Sequence, residues 1–206
     1  MRVSLTDAGK RFNRDWIFRN ISYTFEKGNS YAIVGPNGSG KSTLLQVLSG
    51  SMQLSEGNSQ WSIDNRELGN EEIYDHVAIC APYLEVIEEM TLKEFLKFHH
   101  HFKPFNPSLD IDSIISIIGL HEAINKQIRY YSSGMKQRVK LAQAIFSDTA
   151  FLLLDEPCTS LDAKGIDLYN HLIEEYCKNR LVIVSSNDET EYRFCKKKIN
   201  ITDYKK

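Results

Sequence analysis

The segment Gly35-Pro36-Asn37-Gly38-Ser39-Gly40-Lys41-Ser42-Thr43 fits G-x-x-x-x-G-K-[ST], a pattern whose chemistry is phosphate binding. Its glycines let the backbone curl until successive N–H groups point inward at phosphate oxygens. A helix starting near Lys41 adds unpaired N–H groups and the positive end of its dipole. Lys41 is the cation for the terminal phosphates, and the Ser42 hydroxyl is a ligand for Mg²⁺. A second cluster stands at Phe151-Leu152-Leu153-Leu154-Asp155-Glu156. The apolar run reads as a strand buried on both faces, and its end presents two acids. Asp155 is placed to hold Mg²⁺ directly or through water, and Glu156 to polarise an attacking water. Alone, an Asp-Glu pair after a strand is ordinary turn chemistry. With a phosphate loop in the same chain it reads as the other half of a nucleotide-hydrolysing site.

Those residues need strands and helices to hold them, and the pattern supplies both. Strands are expected near Arg2–Thr6, Ile17–Phe25 and Ser30–Val34, with Glu26-Lys27-Gly28-Asn29 as turn chemistry between the last two. The periodicity becomes helical from Lys41, with Leu44, Leu45, Val47 and Leu48 on the apolar side. Residues 51–70 are polar and predict a short hairpin around Trp61 and Ile63, followed by a strand over His76–Cys80. Thr91–Phe102 predicts an amphipathic helix carrying Leu92, Phe95, Leu96 and His99 at helical spacing, broken by Pro104 and Pro107. Asp112–Ile118 predicts a second helix closed by Gly119, and a third follows Ser133-Gly134. Leu168–Cys177 reads as helix and Leu181–Ser185 as another buried strand. The resulting fold class is α/β: a P-loop core with a mostly parallel central sheet, an N-terminal antiparallel β subdomain and an inserted helical lobe at about 91–147, all within one domain over 1–206.

The 206 residues are enough for a sizeable core without disulfides. The net charge of −2 favours neither nucleic acid nor a membrane surface as partner. Cys80, Cys158, Cys177 and Cys195 have no C-x-x-C spacing, so they read as reduced thiols in a cytoplasmic protein. No apolar stretch reaches membrane-spanning length, and the first residues alternate like a strand rather than forming a signal peptide. His99-His100-His101 are consecutive on a helix and point in different directions, a poor ligand set for a metal. Lys196-Lys197-Lys198 reads as a solvated edge, with lipid headgroup contact as the alternative.

The whole chain resembles the nucleotide-binding domain of an ATP-binding cassette (ABC) protein. GPNGSGKST matches the family's Walker A motif, FLLLDEP matches Walker B, and Ser160-Leu161-Asp162 lies where the family has its D-loop. Tyr131-Ser132-Ser133-Gly134-Met135-Lys136-Gln137-Arg138 resembles the family signature, LSGGQ followed by glutamine and arginine. The resemblance implies that Ser132, Ser133 and Gly134 contact ATP held by a second subunit, in a head-to-tail dimer. Helix N-capping is the other role open to this Ser-Ser-Gly. Phe12 lies where the family stacks an aromatic on adenine, Trp16 is a competitor, and either could instead pack on the first strands. The resemblance further implies a cytoplasmic ATPase, peripheral on the inner face of the cell membrane through a separate transmembrane permease. Its cofactors would be ATP and Mg²⁺. Its brevity resembles export-type subunits, including the haem-export type of cytochrome c maturation.

Several positions depart from the family. In the signature, Tyr131 replaces leucine, Ser133 glycine and Met135 glutamine. Pro82 stands where the Q-loop glutamine is expected and has neither an amide side chain nor a backbone N–H. Tyr83 and Glu85 are candidate substitutes. Asn187 replaces the switch histidine, so it can donate a hydrogen bond to the γ-phosphate but cannot carry a proton. Slow hydrolysis that depends on Glu156 is therefore expected. A non-transport ABC ATPase and a degenerate, non-hydrolysing subunit are the rival readings.

Overall fold

The computed structural model describes residues 1–205. In chain order its elements are β1 (Arg2–Phe12), β2 (Asp15–Glu26), β3 (Ser30–Val34), α1 (Lys41–Leu48), β4 (Glu56–Ile63), β5 (Arg66–Glu67), α2 (Asn70–His76) and β6 (Val77–Cys80). They continue with α3 (Leu92–Phe102), α4 (Ile111–Ile117), α5 (Ser133–Ile145), β7 (Phe151–Asp155), α6 (Ala163–Tyr176), β8 (Leu181–Ser185), α7 (Glu189–Tyr192) and β9 (Lys197–Asn200). The chain divides into two compact units, one of residues 1–79, 150–156 and 179–206, the other of residues 80–149 and 157–178.

The first unit holds two sheets. An antiparallel sheet runs β2-β1-β4-β5, and a second sheet runs β6-β7-β8-β3-β9, in which β3, β7, β8 and β9 pair in parallel. β1 continues to Phe12, beyond the expected end at Thr6. The reason is a bulge: Asp7 takes φ 48 and its N–H donates to Ser22 Oγ (2.9 Å), after which pairing resumes at Ala8 opposite Ile21.

The five-stranded sheet sorts its side chains by twos. Phe151 and Leu153 of β7, Leu181 and Ile183 of β8, and Tyr31 and Ile33 of β3 join one buried cluster with Leu44, Leu45 and Leu48 of α1. Leu152, Leu154, Val182 and Val184 are buried on the other face. The same alternation sets Asp155 and Ser185, the last residues of β7 and β8, on the face that carries α1. Trp61 Nε1 donates to the Leu48 carbonyl (3.0 Å), tying the antiparallel sheet to the end of α1.

α2 was not expected; the strand placed over His76–Cys80 begins one residue later, at Val77. Only Ile73 of α2 is buried, so it lacks an apolar period. Its start is fixed instead by Glu72, whose Oε2 accepts from the Gly69 N–H (2.9 Å).

In the second unit, Thr91 caps α3 while its own N–H donates to Glu94 Oε2 (2.8 Å). Asp110 Oδ1 accepts from Ser113 N–H (2.7 Å) at the start of α4, and Gly119 follows that helix at φ 67. Asp162 caps α6 by accepting from Gly165 N–H (2.8 Å), so this helix starts five residues before the expected Leu168. His99 pairs through Nε2 with Ser147 Oγ (2.9 Å), and His100 Nδ1 accepts from the Phe105 N–H (3.1 Å). Burial, with Lys103 nearby, lowers the His99 pKa to about 4.

Candidate nucleotide site

β3 delivers the phosphate loop to the C-terminal edge of the parallel sheet, and α1 leaves it at Lys41. Gly40 is the N-cap, at φ 102 and ψ 10. A Cβ there would lie 2.3 Å from Ile17 Cγ2, so both the backbone and the space require glycine. Lys41 is buried, and its ammonium donates to the carbonyls of Gly35 (2.9 Å) and Pro36 (3.4 Å). An ammonium has three donors, so one remains for a ligand. Ser39 is buried against the loop, and its N–H closes a turn onto the Pro36 carbonyl (3.0 Å). Ser42 and Thr43 occupy the first turn of α1, half-buried, where unpaired helix N–H groups attract anions. Gly38 and Asn37 form the exposed rim.

The acids stand two strands away from β3. Asp155 is buried at the end of β7, and its Oδ1 has no hydrogen-bond partner among the described residues. A buried carboxylate oxygen left in that state fits Mg²⁺ or a water bound to it. Glu156, partly exposed, takes φ 44, and its N–H donates to the Ser185 carbonyl (2.9 Å). A left-handed glutamate costs energy that the surrounding structure must hold, a pattern concentrated at functional sites.

Asn187 lies just past β8. Its Nδ2 donates to Asn37 Oδ1 (2.7 Å), a bond between the switch position and the rim of the phosphate loop that the sequence did not foretell. Phe12 is 47 % exposed, with Lys10 Nζ 5.3 Å from its ring centre. Trp16 has the guanidinium groups of Arg11 and Arg19 at 5.5 and 4.5 Å from its ring. Phe12 therefore has the more open ring for stacking.

In the second unit, Ser132, Ser133 and Gly134 meet at one pocket of about 680 Å³, with Arg138, Ser160 and Asp162. Ser132 Oγ accepts from the Met135 N–H (3.2 Å), which is the capping role left open by the sequence. Gly134 is close to the Ser160 carbonyl: an added Cβ would sit 3.0 Å from that oxygen. Tyr131, in place of the family leucine, is buried and donates to the Ala123 carbonyl (2.8 Å). Gln137 is buried and donates to the Pro157 carbonyl (2.7 Å), fixing the segment after Glu156 to α5. Arg138 faces the pocket 3.7 Å from Asp162. The Pro82 carbonyl accepts from Lys140 Nζ (3.2 Å).

The model of the ABC transporter family matches residues 18–159, which take in the phosphate loop, the signature segment and both acids. The chain belongs to the ABC transporter family. This ABC ATPase is 31 % identical over 191 residues to the ABC transporter ATP-binding protein YybJ of Bacillus subtilis (strain 168), covering 92 % of this chain and 87 % of that one. Of two longer relatives from the same organism it spans 62 % and 61 %. Its fold matches an ABC transporter ATP-binding protein of Pyrococcus furiosus with a TM-score of 0.83 at 21 % identity, over the full length of both chains. It also matches a bacterial ABC transporter cassette solved as a dimer, with a TM-score of 0.78 at 22 % identity over 97 % of this chain and 94 % of that one. The chain is thus an ATP-binding subunit of transporter type and an ATPase, built on the α/β P-loop fold. No helix among the described residues is long and apolar enough to cross a membrane.

Proposed function

We propose that this ATPase, a single domain over 1–206 with its helical lobe at about 91–147, powers transport through a separate transmembrane permease. It would sit peripherally on the inner face of the cell membrane. Gly35 to Thr43 cradle the phosphates of ATP, with Lys41 on the β- and γ-phosphates. Ser42 and Asp155 hold Mg²⁺, which when bound neutralises phosphate charge. Glu156 polarises the attacking water, and Phe12 stacks on adenine. Two chains close head to tail, and Ser132, Ser133 and Gly134 of each meet the ATP of the other. The observation carrying this reading is the buried, unpartnered Asp155 Oδ1 on the sheet face that also carries α1 and its Lys41.

A docking surface for the permease is supported by Phe98 and Phe102 on α3. Their rings meet at 5.0 Å, yet they are 44 % and 57 % exposed. Paired aromatics in water mark surfaces that another protein covers. Capture by the tagged chain from detergent-solubilised membranes tests this. Recovery of a membrane-spanning protein, lost in Phe98→Ser/Phe102→Ser, is expected. Recovery of ribosomal RNA with no membrane protein would replace transport with a non-transport role.

Asn187 and Pro82 support a second, narrower reading, a subunit with little turnover. Tight ATP binding without hydrolysis in the assembled complex would decide for it.

A further inference from the structure

Ser185 is the last residue of β8 and is fully buried, yet its Oγ has no hydrogen-bond partner among the described residues. A hydroxyl sealed from water without a partner is rare enough to need an explanation. Its position supplies one. In the parallel ladder Ser185 stands opposite Asp155, whose buried Oδ1 is unpartnered as well. Registered residues of adjacent parallel strands point to the same face, and that face carries α1, which begins at Lys41. On its other side Ser185 stands opposite Ile33 of β3, two residues before Gly35. Two buried oxygens therefore belong to registered neighbours on the face that carries α1, not bonded to one another, on strands about 4.8 Å apart. One water-sized oxygen between them would satisfy both.

We propose that Ser185 is a further residue of the Mg²⁺ site, holding through its hydroxyl a metal-bound water that it shares with Asp155. The assignment rests on the nucleotide-site reading above. Asp155 accepts from the water. Ser185 meets the same water from the neighbouring strand and fixes its direction, as residues behind a metal's direct ligands do. This arrangement gives both orphaned oxygens a partner only when the hydrated cation is in place. It also gives the serine a reason to occupy a position where the registered residues below it, Ile183 and Leu153, are aliphatic.

The test compares Ser185→Ala with the unmodified chain by fluorescence of methylanthraniloyl-ATP, titrated with Mg²⁺ and, separately, measured in EDTA. Nucleotide affinity in EDTA is expected to be unchanged. The half-saturating Mg²⁺ concentration is expected to rise about tenfold, the lower end for loss of a residue behind a metal's direct ligands. The ligand-free variant should melt no lower than the parent, because the deleted hydroxyl had no partner to lose. An unchanged Mg²⁺ requirement would overturn the assignment. So would an equal loss of affinity in EDTA, or a lower melting temperature without ligand, since either gives the hydroxyl a structural partner instead. If the unmodified chain showed no Mg²⁺-dependent binding, the nucleotide-site reading itself would fall, and this assignment with it.

Discussion

Replacing Gly40 by alanine separates two physical reasons for a glycine at the start of α1. The first is conformational: at φ 102 an L-residue is strained by about 1–2 kcal/mol. The second is steric, because the new Cβ would lie 2.3 Å from Ile17 Cγ2. Ile17 is half-buried, and turning it off its rotamer costs about 0.5–1.5 kcal/mol more. The expected total is about 1.5–3.5 kcal/mol, or about 3–14 °C in Tm for a chain of this length. Gly28 and Gly38 supply controls. They have φ 82 and φ 73, and an added Cβ would meet nothing within 4 Å. Each alanine variant there should cost only the conformational part, about 1–2 kcal/mol. Urea unfolding of the three variants gives the comparison, and methylanthraniloyl-ATP binding adds the functional one. Gly28→Ala should retain binding, since its turn lies outside the loop, whereas Gly40→Ala should lose it. A Gly40→Ala cost no greater than that of Gly28→Ala would refute the steric argument.

Two further outcomes are expected. His99 is held neutral in the folded chain, with its pKa lowered to about 4 by burial and then by Lys103, while the unfolded chain takes up that proton near pH 6.5. Its contribution is therefore complete above pH 6.5 and is lost as the pH falls from there toward 4, at up to about 1.4 kcal/mol per pH unit. Urea midpoints for His99→Gln should decline less steeply over that range than those of the parent, and parallel declines would show that His99 is not the group responsible. The Asn37–Asn187 bond joins two exposed amides, so a double-mutant cycle with alanine should give a coupling of about 0.5–1 kcal/mol in the urea unfolding of the ligand-free chain. Strict additivity would mean that each residue acts alone.

Where covalent neighbours do the work, the sequence was legible. The residues of β3 and β8 were recovered end to end because a buried strand is a continuous apolar run bounded by turn residues. α3 announced itself by its apolar periodicity, and α5 by the Ser-Ser-Gly at its start. α2 and the first turn of α6 did not, since each is set by one carboxylate reaching a backbone N–H rather than by an apolar stripe. The extension of β1 beyond Thr6 depends on a bulge that only its partner strand fixes. The site divides in the same way. The phosphate loop and the acid pair are contiguous motifs and could be read directly. The bond between Asn37 and Asn187, and the pairing of Asp155 with Ser185, join distant parts of the chain through the strand order β7-β8-β3. No local spacing encodes them. Ser132 was recognised as either a nucleotide contact or a cap, and the structure gives it the cap while leaving it on the pocket.

ATP hydrolysis by the purified chain, measured against protein concentration beside Glu156→Gln, tests the two-site account most directly. The account predicts a rate that rises faster than linearly with protein, is abolished by Glu156→Gln, and leaves that variant trapped as an ATP-bound dimer. A rate strictly proportional to concentration, or one that survives Glu156→Gln, would contradict it.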